Sequence, residues 1–311
     1  MISVERARDA GNGVAGGVAV VRLEHGKVNA LDIELCQAIS ATFTDLDAAA
    51  VVFTGAGRAF SAGVDLWRVV DGGDDYVTAF IPALVDAFAA VFTCELPVVA
   101  AINGHAIAGG CILAAACDYR IMAAGRLGIP EMLVGVPFPA TALAIVEHAF
   151  GPVAARRLAF TGELLSAGEA LARGLVDELA ANDSDRGEAF RDVTARDVTA
   201  RDETARDVTA RDVTARDVTA CLDRAIAHAR HLAANIPRDT YAATKRHLNR
   251  LPGPAAHDLA HDLAHDLAHD LAHDSAYDSA YDAEVVRLWR ERVADGWIAA
   301  YMERTVKRQS I

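Results

Sequence analysis

Two stretches of this chain carry residues whose types and spacing suit acid–base chemistry at a carbonyl group. GAGRAFSAGVDL spans residues 55–66, and NGHAIAGGCILAAACDYRI (103–121) is followed by GIPEMLVGVP (128–137). Gly63 and Gly109 mark turns where backbone can approach a ligand closely. An N–H at Ala62 and one at Gly109, the second at the start of an apolar helix, could together grip a carbonyl oxygen. The helix dipole favours negative charge developing there, so the pair suits a reaction that passes through an enolate. One carboxylate, Glu131, lies downstream between Pro130 and the apolar Met132 and Leu133. An acid among apolar neighbours has its charged form disfavoured and its pKa raised, which suits a general acid/base. Where a second acid could stand inside the helix, the residue is Ile112. One acid where two could act narrows the chemistry.

The elements that must position these residues follow from hydrophobic patterning. VAVVRLEH (18–25), AAVVFTGAG (49–57), LPVVAAING (96–104) and DYRIMAA (118–124) have the apolar composition of buried strands. Leu31, Leu35, Ile39, Phe43 and Leu46 fall on one helical face, residues 76–93 form a helix, and GGCILAAAC (109–117) begins another. LSAGEALARGLVDEL (165–179) is a short helix, a Gly stop and a strand. Strands alternating with helices predict an α/β protein with a largely parallel arrangement. Residues 96–117 carry no formal charge and are long enough to cross a membrane, but Pro97, Asn103, Gly104, Gly109 and Gly110 interrupt them. A buried strand, a Gly turn and a core helix fit better, and no membrane partner is expected.

The chain has 311 residues, 52% of them apolar, enough for a sizeable core. Its net charge of −13 argues against nucleic acid as a partner. The five cysteines (36, 94, 111, 117, 221) show no metal-ligand spacing and read as reduced, buried thiols, which with no evident signal peptide predicts a cytoplasmic protein.

Two tandem repeats stand apart from this pattern. RDVTA recurs over 191–220, and HDLA over 257–272 before decaying to HDSA, YDSA and YDAE by residue 284. A five-residue period turns a helix by about 140° beyond a full turn, so the pentads build no apolar stripe. The tetrad drifts only about 40° per copy, which keeps Leu259, Leu263, Leu267 and Leu271 near one face. It also places His257, His261, His265, His269 and His273 at i, i+4; a solvated face explains them better than a metal site.

Four motifs occur in a fixed order: GAGRAFSAGVDL (55–66), NGHAIAGG (103–110), the Pro–Glu of GIPEMLVG (128–135) and FTGELLSAGEALARGLVD (160–177). Together they resemble the crotonase (enoyl-CoA hydratase/isomerase) superfamily, over residues 14–180, the stretch around Lys245 and the last helix from Asp282. The resemblance implies the crotonase fold, a repeated ββα spiral core (1–180) with a C-terminal helical region (181–311). It makes Ala62 and Gly109 the oxyanion hole for an acyl-CoA thioester and Glu131 the catalytic base. Lys27, Val28, Ala30, Gly63, Val64, Asp65, Leu66, Gly110, Pro130 and Lys245 become substrate and CoA contacts. No metal or redox cofactor is implied, CoA arriving as part of the substrate, and assembly as a homotrimer or hexamer is.

Ile112 departs from the hydratases of this superfamily, which place a second glutamate there, and VPFPATAL (136–143) replaces their Gly-rich run. The pattern is closest to single-glutamate Δ3,Δ2-enoyl-CoA isomerases. A hydratase, a non-catalytic acyl-CoA-binding protein, and a thioester hydrolase or decarboxylase remain alternatives. Asp65 is expected to cap a helix, His105 to be a turn or core histidine, Asp118 and Arg120 to pair, and Trp289 and Trp297 to pack.

Overall fold

In the computed structural model of this chain the residues described are 1–7, 16–180, 215–250 and 279–305. The apolar runs form β2 (Val18–Leu23), β3 (Ala50–Gly55), β5 (Val98–Ile102) and β7 (Tyr119–Met122), flanked by β1 (Ile2–Arg6) and β10 (Glu178–Leu179). They make one sheet in the order β1-β2-β3-β5-β7-β10, parallel throughout except for β1 at the edge. Three short strands, β4 (Ala59–Ser61), β6 (His105–Ile107) and β8 (Arg126–Gly128), lie parallel in a second sheet, and β9 (Leu165–Ser166) pairs antiparallel with β8.

The chain visits the two sheets in turn. β3 and β4 lead into α2 (Leu66–Thr93), β5 and β6 into α3 (Gly109–Ala115), and β7 and β8 into α4 (Glu131–Val134). This is the ββα repetition that the family resemblance implies. Between β2 and β3 runs α1 (Ile33–Thr44), its N-cap Asp32 accepting the Leu35 N–H. After α4 come α5 (Ala140–Thr161) and α6 (Ala167–Ala172), the latter opened by a capping box of Ser166 and Glu169.

Strand alternation separates two apolar layers. Val21, Leu23, Val51, Phe53, Val98 and Ile102 join the main core with Phe80, Phe88 and Leu113 of the helices. The opposite face, with Val18, Val20, Val52, Val99 and Ile121, is covered by Cys221, Ala225 and Ala229 of α7 (Ala215–Asn235). These three small residues at i, i+4 and i+8 let α7 lie close on the strands. Burial on both faces explains why the strands read as unbroken apolar runs.

Residues 96–117 form β5, β6 and α3 and are core. The expected helix over 76–93 extends back to Leu66 across a break at Gly73 (φ 64°). By length and composition α2 could cross a membrane, but Phe80, Ile81, Leu84, Val85, Phe88 and Val91 are buried in this core. All five cysteines are free and buried. The last pentad copy lies inside α7 as helix, whereas the other pentads, the tetrads before residue 279 and the histidine ladder lie outside the described residues. The C-terminal region also contributes α8 (Arg238–Leu248), α9 (Ser279–Ala294) and α10 (Trp297–Thr305).

Candidate active site

Three parallel strands deliver the candidate residues to one edge. β6 lies between β4 and β8, and all three run the same way. Beyond their carboxyl ends come the turn 62–65, Ala108–Gly109 and Pro130–Glu131. The register Ile107↔Gly128 is continued by a hydrogen bond from Ala108 N–H to the Gly128 carbonyl (2.8 Å). The carboxyl ends of parallel strands are where α/β folds place ligands.

The turn after β4 is packed hard against the start of α3. A Cβ on Gly63 (φ +85°) would lie 2.6 Å from the Ala108 Cβ, 2.7 Å from the Ile107 carbonyl oxygen and 3.3 Å from the Gly109 nitrogen. On Gly110 it would lie 2.3 Å from the Ser61 carbonyl oxygen. Only glycine permits these approaches. Ala108 itself holds φ 54°, unusual for a residue with a side chain, which aims the chain into α3.

Segment 28–31 runs beside this turn. Ala62 N–H donates to the Val28 carbonyl (3.0 Å), Leu31 N–H to Gly63 (2.8 Å), and Asp65 N–H to Leu31 (2.9 Å). The Ala62 amide is therefore occupied, which corrects its expected place in the oxyanion pair. Leu31 and Val64 form a parallel bridge, so the N–H of Val64 points away from Leu31. Val64 N–H follows Gly63 directly and is the amide of this turn left beside Gly109. Gly109 N–H, first in α3, has no acceptor within that helix.

Glu131 opens α4 and is 7% exposed. Its Oε2 is buried with no hydrogen-bond partner. Burial pushes its pKa up to about 8, against a small opposing effect from its own backbone N–H. It is close enough to Cys111 for its charge to raise that buried thiol further. Ile112, one residue on, is 2% exposed in the apolar core, so no second acid stands there.

Residues 13–201 match the family model described as enoyl-CoA hydratase/isomerase. The chain belongs to the enoyl-CoA hydratase/isomerase family. A Thermus thermophilus protein named as a putative enoyl-CoA hydratase is 41% identical over 174 residues, covering 53% of this chain and 68% of the relative. Enoyl-CoA delta isomerase 1, mitochondrial, of Mus musculus is 30% identical over 181 residues, 56% of this chain and 63% of the relative. A solved enoyl-CoA hydratase/isomerase from Mycobacterium paratuberculosis matches 97% of both chains with a TM-score of 0.66 at 21% identity, a likeness of fold. The fold is the crotonase fold, and the chain is an enzyme of this family by its relatives.

Within this family member the remaining expected residues divide. Val28 and Lys27 are exposed and Ala30 half-buried, at the rim beside the turn, while Gly110 and Pro130 flank Gly109 and Glu131. Leu66 is half-buried at the start of α2, and Asp65 caps that helix by accepting from Trp67 N–H (3.1 Å) and Arg68 N–H (3.2 Å). Nδ1 of His105 accepts the Arg126 N–H (3.3 Å), and burial, then Arg126 and Arg58, lowers its pKa, as suits a structural histidine.

Lys245 is not at the rim. It is 5% exposed, and its Nζ binds Asp118 Oδ2 (2.7 Å) and donates to the Leu96 carbonyl (3.1 Å). This corrects its expected contact with CoA. It also corrects the Asp118–Arg120 pair, because Arg120 bonds Asp177 (3.2 Å) instead. Breaking a buried ion pair strands its partner, so Lys245→Ala is expected to lower stability by about 3 kcal/mol. Urea unfolding alongside KM for an acyl-CoA tests this; a raised KM with unchanged stability would return Lys245 to binding.

Two residues with a part in the site were not singled out in the sequence. Asn29 (φ 52°, 1% exposed) donates from Nδ2 to the carbonyls of Ala56, Ala59 and Phe60 (3.2, 3.1 and 3.2 Å). Ser61 Oγ donates to the Asn29 carbonyl (2.7 Å) and accepts the Gly63 N–H (3.2 Å). Together they tie the rim to the turn. A polar residue among the apolar neighbours of VNAL and another within AFSAG were the available signals.

Proposed function

We propose that this enzyme shifts a double bond in an enoyl-CoA by proton transfer through a thioester enolate. The Glu131 carboxylate takes the proton from C2 of a 3-enoyl-CoA. Electrons move to the thioester oxygen, held by the N–H groups of Val64 and Gly109, and the proton returns at C4 as the double bond settles between C2 and C3. The rim residues Lys27, Val28 and Ala30 are read as contacts for the CoA portion. The observation that carries the proposal is one buried carboxylate at this strand edge, Glu131, whose Oε2 has no hydrogen-bond partner, with apolar Ile112 where a second acid would assist hydration. A raised pKa makes the ionised form a stronger base than an ordinary carboxylate.

Hydration is the rival, favoured by the name of the Thermus relative. The test is a purified sample assayed against 3-enoyl-CoAs and against crotonyl-CoA. Isomerisation should exceed hydration by about 100-fold, the scale of one missing acid–base group. Hydration at an equal rate would overturn the one-base reading, and acyl-CoA binding without either reaction would favour a binding protein. Family likeness also supports assembly as a homotrimer or hexamer, which sedimentation would test.

A further inference from the structure

Glu131 sits on a single helical turn that is anchored by Val134 in the main core and by Leu133 and Pro130 against Gly162, but whose own hydrogen bonds hold it weakly. α4 has four residues, and its N-cap Pro130 supplies no side-chain cap. One turn gains too little from its own hydrogen bonds to stay helical alone. Its exit is bonded back to it: Gly135 N–H donates to the carbonyls of Glu131 (3.1 Å) and Met132 (3.2 Å), and Val136 N–H to Glu131 (3.2 Å). Whatever fixes residues 135–140 therefore fixes the backbone of Glu131.

Three side chains of the C-terminal pair α9–α10 reach that stretch at successive points. Trp297 lies against Gly135, where a Cβ would be 2.4 Å from the indole nitrogen. Trp289, 2% exposed, donates its Nε1–H to the Pro137 carbonyl (3.0 Å). Asp282, fully buried, accepts the Ala140 N–H (3.0 Å) and so caps α5, whose own N-cap Pro139 has no side chain to do it. On its other side the pair is seated on α2, with an ion pair from Arg290 to Asp74 (2.7 Å).

We propose that α9–α10 is a clasp for the acid–base residue, with Trp289 and Asp282 as positioning residues that act through 135–140 to set where the Glu131 carboxyl lies. The inference rests on the reading of Glu131 as the base. Trp289→Phe removes the indole donor and keeps the ring's bulk, and Asp282→Ala removes the cap. Arg290→Ala loosens the same helix without touching 135–140. The full chain of each is measured for kcat and KM on a 3-enoyl-CoA and for the pH midpoint of kcat/KM. The infrared carboxyl stretch of Glu131, assigned by difference against Glu131→Gln, is titrated in parallel.

The first two variants are expected to lose kcat by about 10–100-fold, the scale of a misplaced catalytic group, with KM little changed. Their pH midpoint and carboxyl titration should move together, and neither should move in Arg290→Ala. Wild-type kcat and titration in Trp289→Phe would overturn the clasp, as would all three variants changing alike in step with lost thermal stability. If Asp282→Ala fails to fold, Trp289→Phe decides alone. Where no enoyl-CoA turns over, the base reading fails by itself, and the infrared shift still decides whether the clasp sets the Glu131 environment.

Discussion

Glu131→Gln is expected to lower kcat on a 3-enoyl-CoA by on the order of 10³-fold, because the substitution removes the one group that both takes and returns the proton. Acyl-CoA binding should persist, since the amide keeps the shape of the acid and the two N–H groups are untouched. In the wild type, kcat/KM should rise with pH and level off above about 8, where the carboxyl ionises. The same variant should be more stable than wild type in alkaline solution. The carboxyl titrates near 4.5 when unfolded and near 8 when folded, so the folded state binds the proton more tightly. The stability this contributes is complete below pH 4.5 and lost as pH rises through 8. Above that the fold carries a buried charge, a burden on the order of 5 kcal/mol that the neutral amide avoids. Urea unfolding at pH 9 should show a gain of up to that size, and at pH 4 the two proteins should coincide. A variant that keeps its turnover, or one destabilised at pH 9, would remove Glu131 from the base's role.

Much of the fold was legible because its strands are buried on both faces. VVF of β3 and VVAA of β5 carry an apolar signal that no solvated face interrupts, and their order with α1 and α3 sufficed for a parallel α/β arrangement. The second sheet was not legible as strands. β4, β6 and β8 have three residues each, too few to display a period, although they are the strands that bring Gly63, Gly109 and Glu131 together. The glycines marked the places of close approach, but the burial that raises the pKa of Glu131 comes from the fold and not from its apolar sequence neighbours, since Met132 and Leu133 are exposed. Hydrogen-bond direction was beyond reach: only the bridge Leu31↔Val64 distinguishes the occupied amide of Ala62 from that of Val64. Lys245 was misplaced for a related reason. Its exposure depends on Asp118, 127 positions away, which no local pattern reports.

Gly63→Ala tests the amide pair most directly. Gly63 holds φ +85°, so any side chain there meets the left-handed penalty of about 1–2 kcal/mol. Gly174 carries the same kind of strain (φ +71°) with nothing within 4 Å of an added Cβ. Gly174→Ala should therefore show the strain alone and leave kcat unchanged. At Gly63 the Cβ would also stand 2.7 Å from the Ile107 carbonyl oxygen and 2.6 Å from the Ala108 Cβ, and neither can swing aside as a flexible side chain would. Either the turn 62–65 or the Ala108–Gly109 peptide must retreat, and both movements part the Val64 and Gly109 N–H groups. Losing one such donor costs about 10²–10³-fold in kcat, so a loss of that order is expected, with stability falling by about 3 kcal/mol. A Gly63→Ala enzyme destabilised by that amount but turning over at the wild-type rate would show that these two amides do not hold the enolate. A loss of kcat with acyl-CoA affinity retained would locate the defect in the enolate, because the pair is needed only once negative charge reaches the oxygen.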